Sequence, residues 1–195
     1  IHLRARSGYS LLQSAVQVKE LVKLAIKHEM PALGLADSNN LFGALEFSEA
    51  AAEAGLQPIV GVALDVRGAG GLAGVLALYA QSTTGYANLM RLSSAAFLDT
   101  AGNEEAHVPF ASVLEHAEGL IALTGGGDGA LAQLLTEGKT DIAQAALKQL
   151  ANAFGNRLYV ELQRHGERIE ADTEGALLDL AYAHSLPIVA TNDIR

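Results

Sequence analysis

Met30-Pro31-Ala32-Leu33-Gly34-Leu35-Ala36-Asp37-Ser38-Asn39-Asn40-Leu41-Phe42-Gly43 decides the fold class. Pro31 closes a preceding helical pattern. The apolar run at residues 32–36 reads as a buried strand, and a second helical pattern follows at residues 42–54, with Gly55 placed as its C-cap. Upstream, residues 16–28 carry Val18, Leu21, Val22, Ala25 and Ile26 at three- and four-residue spacing, which predicts a helix. Residues 1–6 alternate apolar and basic side chains, as a strand does. Downstream the rhythm continues. Strands are expected at residues 58–66, 75–80, 120–124, 158–162 and 188–191. Helices are expected at 86–97, 110–117, 130–136, 140–154 and 170–184, with a glycine-rich loop at 67–74. Strands alternating with helices imply a parallel sheet, open or closed into a barrel. In either form functional groups gather at the carboxyl ends of the strands.

The chain has 195 residues, is 50% hydrophobic and carries a formal net charge of −9. That length suits one domain, residues 1–195, with a large core. With no cysteine, disulfides, thiolate zinc sites and cysteine nucleophiles are excluded. No apolar run reaches the roughly 18 residues that span a bilayer, and no signal-like segment opens the chain, so no membrane role and a cytoplasmic location are the default expectation. A polyanion such as free DNA is repelled by this charge, so DNA is expected to be reached only through a larger protein. The first residue, Ile1, and a last residue, Arg195, just past a strand-like run suggest an excised fragment. There is no internal repeat.

Four stretches carry a family resemblance. They are His2-Leu3-Arg4-Ala5-Arg6-Ser7-Gly8-Tyr9-Ser10-Leu11-Leu12; the Met30 to Gly43 stretch; Gln57-Pro58-Ile59-Val60-Gly61; and Tyr159-Val160-Glu161-Leu162-Gln163-Arg164-His165-Gly166 followed by Ala190-Thr191-Asn192-Asp193. Weaker echoes are Gly85-Tyr86-Ala87-Asn88-Leu89 and residues 119–125. In order and spacing the chain resembles the polymerase-and-histidinol-phosphatase (PHP) domain at the N-terminus of bacterial DNA polymerase III alpha subunits, of the replicative rather than the error-prone type. The resemblance implies a distorted parallel β/α barrel of TIM-like kind, truncated at its C-terminus, with more of the domain and then the polymerase following. It implies a parent that performs DNA-templated DNA synthesis with Mg²⁺, and partners in the rest of the alpha subunit, the proofreading exonuclease subunit and the replisome.

Active members of that family hold a metal cluster on histidines and carboxylates, ligands that polarise phosphate and generate hydroxide. By the resemblance those positions fall here on Arg4, Arg6, Gln13, Asp37, Ser38, Ala63, Val75, Gly126, Asp193 and Arg195. Most hold no metal ligand. Arginine stays protonated and offers no lone pair, so three former ligand positions (Arg4, Arg6 and Arg195) now carry fixed positive charge. The expectation is a vestigial site with no catalytic residues, no bound metal and no cofactor, in which these arginines pair with Asp37, Asp193 or Glu161. The competing expectation is a reduced metal-dependent phosphoesterase or 3′–5′ exonuclease using Asp37, Glu161, His165 and Asp193.

Gly125-Gly126-Gly127-Asp128-Gly129-Ala130 fits the G-x-G-x-x-A pattern between a strand and a helix. The acidic residue that dinucleotide binding places roughly 20 positions later, at the end of the next strand, is not evident. A flexible turn is the preferred reading, with an anion on its amides as the alternative. His28, His116 and His184 fall in helical segments and His107 in a loop. His2 shares the phase of Arg4 and Arg6 at the pocket rim, and His165, just past a strand, is the histidine best placed for a metal, with a structural role preferred.

Overall fold

A computed structural model describes residues 1–194. Eight strands lie on one continuous path, β8-β7-β6-β4-β3-β2-β1-β9, curled into a half-barrel. In chain order they are β1 (His2–Ala5), β2 (Ala32–Ser38), β3 (Gln57–Arg67), β4 (Ala73–Ala80), then β5 (Val108–Pro109), which pairs only with β3, and β6 (Leu120–Leu123), β7 (Leu158–Leu162), β8 (Ile188–Ala190) and β9 (Asp193–Ile194). The helices are α1 (Val18–Lys27), α2 (Ala44–Glu53), α3 (Thr83–Leu98), α4 (Phe110–Glu115), α5 (Ala130–Thr136), α6 (Thr140–Phe154) and α7 (Arg168–Ala183).

The expected β/α architecture stands, with one departure from a parallel sheet. β4 runs antiparallel to both β3 and β6. The link between β3 and β4 explains the reversal. Only residues 68–72 separate the two strands, partly as a 3-10 turn. A parallel crossover needs about a dozen residues or more, so so short a link allows only a hairpin. The pairs β1–β2, β2–β3, β6–β7, β7–β8 and β1–β9 are parallel. Their carboxyl ends share one mouth.

Three apolar clusters hold the sheet. The largest packs α3 to α7 on its outer face around Leu76, Leu78, Leu92, Leu134, Leu147 and Val160. A second seats α1 and α2 on β1 and β2 through Leu21, Val22, Leu33, Leu35 and Phe47. A small third cluster, with Ala36, Ala77, Tyr79 and Leu123, lies between strands that run at the centre of the sheet. β1 approaches β2 so closely that a Cβ on Gly34 would stand 2.8 Å from the Leu3 Cα, which is why this strand tolerates no side chain there. β1 also advances three residues, from His2 to Ala5, while β2 advances two, from Leu33 to Leu35. Such a bulge re-aims side chains at a strand end, and here the two arginines of β1 and its exit turn toward the mouth.

Candidate functional site

The first structural element at the mouth is a buried ion pair. Arg4, on β1, is 1% exposed, and its Nη1 stands 3.5 Å from Oε1 of Glu161 on β7, itself fully buried. One residue threads the pair. Gly125 accepts from Arg4 Nη1 through its carbonyl at 3.0 Å and donates its N–H to Glu161 Oε2 at 2.9 Å. Glu161 also accepts from the Thr191 hydroxyl and from Gln163 Nε2 at 3.3 Å, while its own N–H donates to Thr124 Oγ1 at 2.9 Å. Burial, the largest influence on Arg4, works against its charge. Glu161, then Asp193, outweigh burial and hold the guanidinium above its ordinary value.

A second pair lies alongside. Arg6 Nε stands 3.2 Å from Asp193 Oδ1, with side chains 5% and 7% exposed. Register brings Asp193 opposite Arg4, and Arg6 N–H donates to the Ile194 carbonyl, so β9 is laid down next to both arginines. Arg6 also donates to Gln13 Oε1, which accepts from Ser38 Oγ at 2.6 Å. Two of the expected arginine pairs are therefore formed. Asp37 is not in them. Its carboxylate accepts from Ser7 N–H at 2.7 Å, Ser7 Oγ at 2.7 Å and Ser10 Oγ at 2.6 Å. The turn after β1 closes over the end of β2, and its short hydroxyls reach Asp37 first. Arg195 lies outside the described residues.

His165 is committed at both ring nitrogens. Nδ1 lies 2.8 Å from Glu170 Oε1, and Nε2 accepts from Asp193 N–H at 3.1 Å, which places the proton on Nδ1. Glu170 also accepts from the N–H groups of His165, Gly166 and Glu167. Burial is the largest influence on Glu170 and pushes its carboxyl up. The His165 side chain and the backbone amides of His165 and Glu167 together prevail and hold it below the usual carboxylate range. Gln163, His165, Glu170, Asp128 and Asp193 face a cleft of about 210 Å³.

The remaining positions supply no donor side chain. Ala63, buried on β3, lies in register with Ser38 and Ala77. Val75 pairs with Asp65 across β3 and β4. Gly126 packs against the Gln163 side chain. The glycine run is not a flexible turn. Gly125 to Gly127 are buried, and Gly125 sits at φ +96, where a Cβ would strike the Val75 carbonyl. Its amide serves the protein's own Glu161, so the anion resting on this turn is internal.

Four mouth residues escaped the sequence reading. Glu170 forms a capping box with Glu167 at the start of α7, a three-residue spacing that was visible. Gln163 and Thr191 follow strand ends, as the strand-end rule allows. Asp65, beside Asn39, has its carboxyl raised by burial, opposed by the Asn39 amide 2.7 Å away; no spacing rule points to it.

The donors do not fit a metal cluster. Two permanent cations occupy the mouth, Glu161 and Asp193 face them, and Asp37 is held by hydroxyls. Among the described residues no group of three or more His, Asp or Glu side chains could hold a metal ion.

The family model described as "PHP domain" matches residues 2–165. The chain belongs to the PHP domain family. This PHP domain is 51% identical, over its whole length and 18% of the relative's, to DNA polymerase III subunit alpha of Caulobacter vibrioides. It is 36% identical to the Thermus aquaticus protein of that name, over 98% of this chain and 17% of the relative. An error-prone DNA polymerase of Symbiobacterium thermophilum matches at 37%, over all of this chain and 19% of that protein. The PHP domain thus spans about a fifth of the relatives it matches. Among solved structures, a candidate metal-dependent phosphoesterase from Bifidobacterium adolescentis aligns with TM-score 0.63 and 14% identity, covering 99% of this chain and 86% of that one. An amidohydrolase from Chromobacterium violaceum aligns at 0.62 with equal identity and coverage. At that identity the likeness is one of fold. Among the described residues no helix is long and apolar enough to cross a membrane.

Proposed function

We propose that this PHP domain is a noncatalytic module of a DNA polymerase III alpha subunit that carries out DNA-templated synthesis in the cytoplasm. One observation carries the reading: the Arg4 and Arg6 guanidiniums fill the mouth and take Glu161 and Asp193 as counter-ions. A metal cluster concentrates positive charge and needs free lone pairs. Here positive charge is already present, and the lone pairs of Glu161 and His165 accept hydrogen bonds from the protein itself.

In this role the domain braces the polymerase body and offers a surface to the proofreading exonuclease subunit. Synthesis, its Mg²⁺ and contact with DNA belong to the rest of the subunit, in keeping with a domain charge of −9. The test is elemental analysis of the purified chain after incubation with Mn²⁺ and Zn²⁺, alongside hydrolysis of a phosphodiester substrate. The expected result is no stoichiometric metal and no hydrolysis that a chelator abolishes. Two or three bound ions per chain with chelator-sensitive cleavage would overturn the proposal and favour the reduced phosphoesterase site. Binding of the exonuclease subunit by the full-length alpha subunit, measured with and without this domain's surface substitutions, tests the docking role separately.

A further inference from the structure

The turn that follows β1 presents apolar side chains to solvent in a rigid frame. Leu11 is 79% exposed and Leu12 fully so, although both follow Ser10, which is buried. Leu12 adopts φ +62, a left-handed conformation that a leucine pays for in backbone strain. Tyr9, in the same turn, meets Phe42 edge-on with ring centroids 6.5 Å apart; Phe42, just before α2, and Leu45, in its first turn, are 71% and 69% exposed. Tyr9, Leu11 and Leu12 thus stand in the turn that leaves β1, and Phe42 and Leu45 in the segment that opens α2; the Tyr9–Phe42 contact joins the two segments into an apolar rim. Single exposed leucines need no explanation, but five exposed apolar side chains on two segments in contact with each other point to an interaction surface.

The rim is preorganised from both sides. Ser10 Oγ donates to Asp37, and Gln13 Oε1 accepts from Arg6 and Ser38, so the two leucines between them are held by the same network that fills the mouth. Asn40 Nδ2 ties the Tyr9 carbonyl at 3.1 Å to the end of β2. Rigid anchors lose little entropy on docking.

The position of β9 selects the occupant. β9 runs parallel to β1 and in register with it, and the Ile194 carbonyl accepts from Arg6 N–H at 2.9 Å. Both strands therefore point their carboxyl ends the same way. A polypeptide continuing past β9 would emerge from the sheet on the side where the Tyr9 to Leu12 turn stands. The Caulobacter relative has only 18% of its length in this region, so ample chain exists in such a protein to cover the rim.

We propose that Tyr9, Leu11, Leu12, Phe42 and Leu45 form an intramolecular docking surface for the segment that continues beyond residue 195 in the longer subunit. This rests on the reading of the domain as part of an alpha subunit. The test is hydroxyl-radical footprinting of the full-length subunit, purified without other proteins, with the urea-unfolded chain and the core residue Leu89 as the two references. The expected result is a several-fold loss of labelling at Leu11, Leu12 and Phe42 toward the level of Leu89, and its return at Leu11 and Phe42 in a Leu12→Asp variant. Labelling at those residues closer to the unfolded chain overturns the proposal. So does protection that appears only when the exonuclease subunit is added, which would hand the rim to a partner protein. DNA-templated synthesis by the same preparation keeps the two readings apart: a subunit that polymerises while the rim stays open to label sinks the docking surface alone, and one that does not polymerise sinks the alpha-subunit reading.

Discussion

Arg4 and Glu161 face one another 3.5 Å apart with 1% and 0% of their side chains exposed, and the backbone of Gly125 bonds to both. Charges so placed have given up water. Their attraction and the hydrogen bonds around Glu161 offset that loss only while both partners are present. The ion pair thus makes the mouth a structural joint between β1, the glycine turn and β7.

Removing one partner should therefore be worse than removing both. Arg4→Met leaves Glu161 buried with its charge uncompensated, and a loss of roughly 3–5 kcal/mol is expected. Adding Glu161→Leu to Arg4→Met should recover much of that loss. Urea denaturation of the three chains measures it. A double variant less stable than the single one would show that the carboxylate's other hydrogen bonds matter more than its charge.

If the guanidiniums exclude metal, restoring imidazole should readmit it. The Arg4→His, Arg6→His double variant should bind Zn²⁺ measurably by calorimetry, at least tenfold more tightly than the parent chain, a difference of about 1.4 kcal/mol. Equal and negligible binding by both would mean that Asp37 and Ser38 also bar the site.

Glu170 gives a pH signature. Its folded-state carboxyl lies below the usual 4.5, so its contribution to stability is fully present above that value and fades as pH falls through the lower folded value. Glu170→Gln should destabilise the chain by roughly 1–2 kcal/mol at neutral pH. The gap between the two chains should narrow in acid. Denaturation midpoints compared at neutral pH and well below 4.5 check this, and a gap that does not change with pH would remove the charge from the account.

Gly125 and Gly138 both have positive φ, +96 and +72, but different surroundings. A Cβ at Gly138 meets nothing within 4 Å, so Gly138→Ala should cost about 1–2 kcal/mol of left-handed strain. At Gly125 a Cβ strikes the Val75 carbonyl and presses Gly129, so Gly125→Ala should be clearly more destabilising. Thermal unfolding of the two variants orders them. The reverse order would contradict the close packing of this turn.

Most of the element order was legible in the sequence because helices and strands announce themselves by local period. The runs at 130–136, 140–154 and 158–162 coincide with α5, α6 and β7. β5 and β9, two residues each, were missed, because so short a run has no period to read. At the site the arginine substitutions were legible, since Arg4 and Arg6 stand in a strand motif near the start. The role of Asp37 was not. Ser7 and Ser10 are about 30 residues away in the chain, and nothing local says that their hydroxyls arrive before a guanidinium.

Residue chemistry alone determined that this chain is a β/α domain, that it lacks thiols, and that three fixed cations stand where family resemblance places metal ligands. Side-chain type and spacing suffice for such statements. Tertiary structure decided which acids Arg4 and Arg6 meet, that β4 is reversed, and that the glycine turn is a buried strut rather than a loose loop. Those depend on contacts between segments far apart in sequence. Arg4 and Glu161 are separated by most of the chain, and only the curled sheet brings their strand ends together.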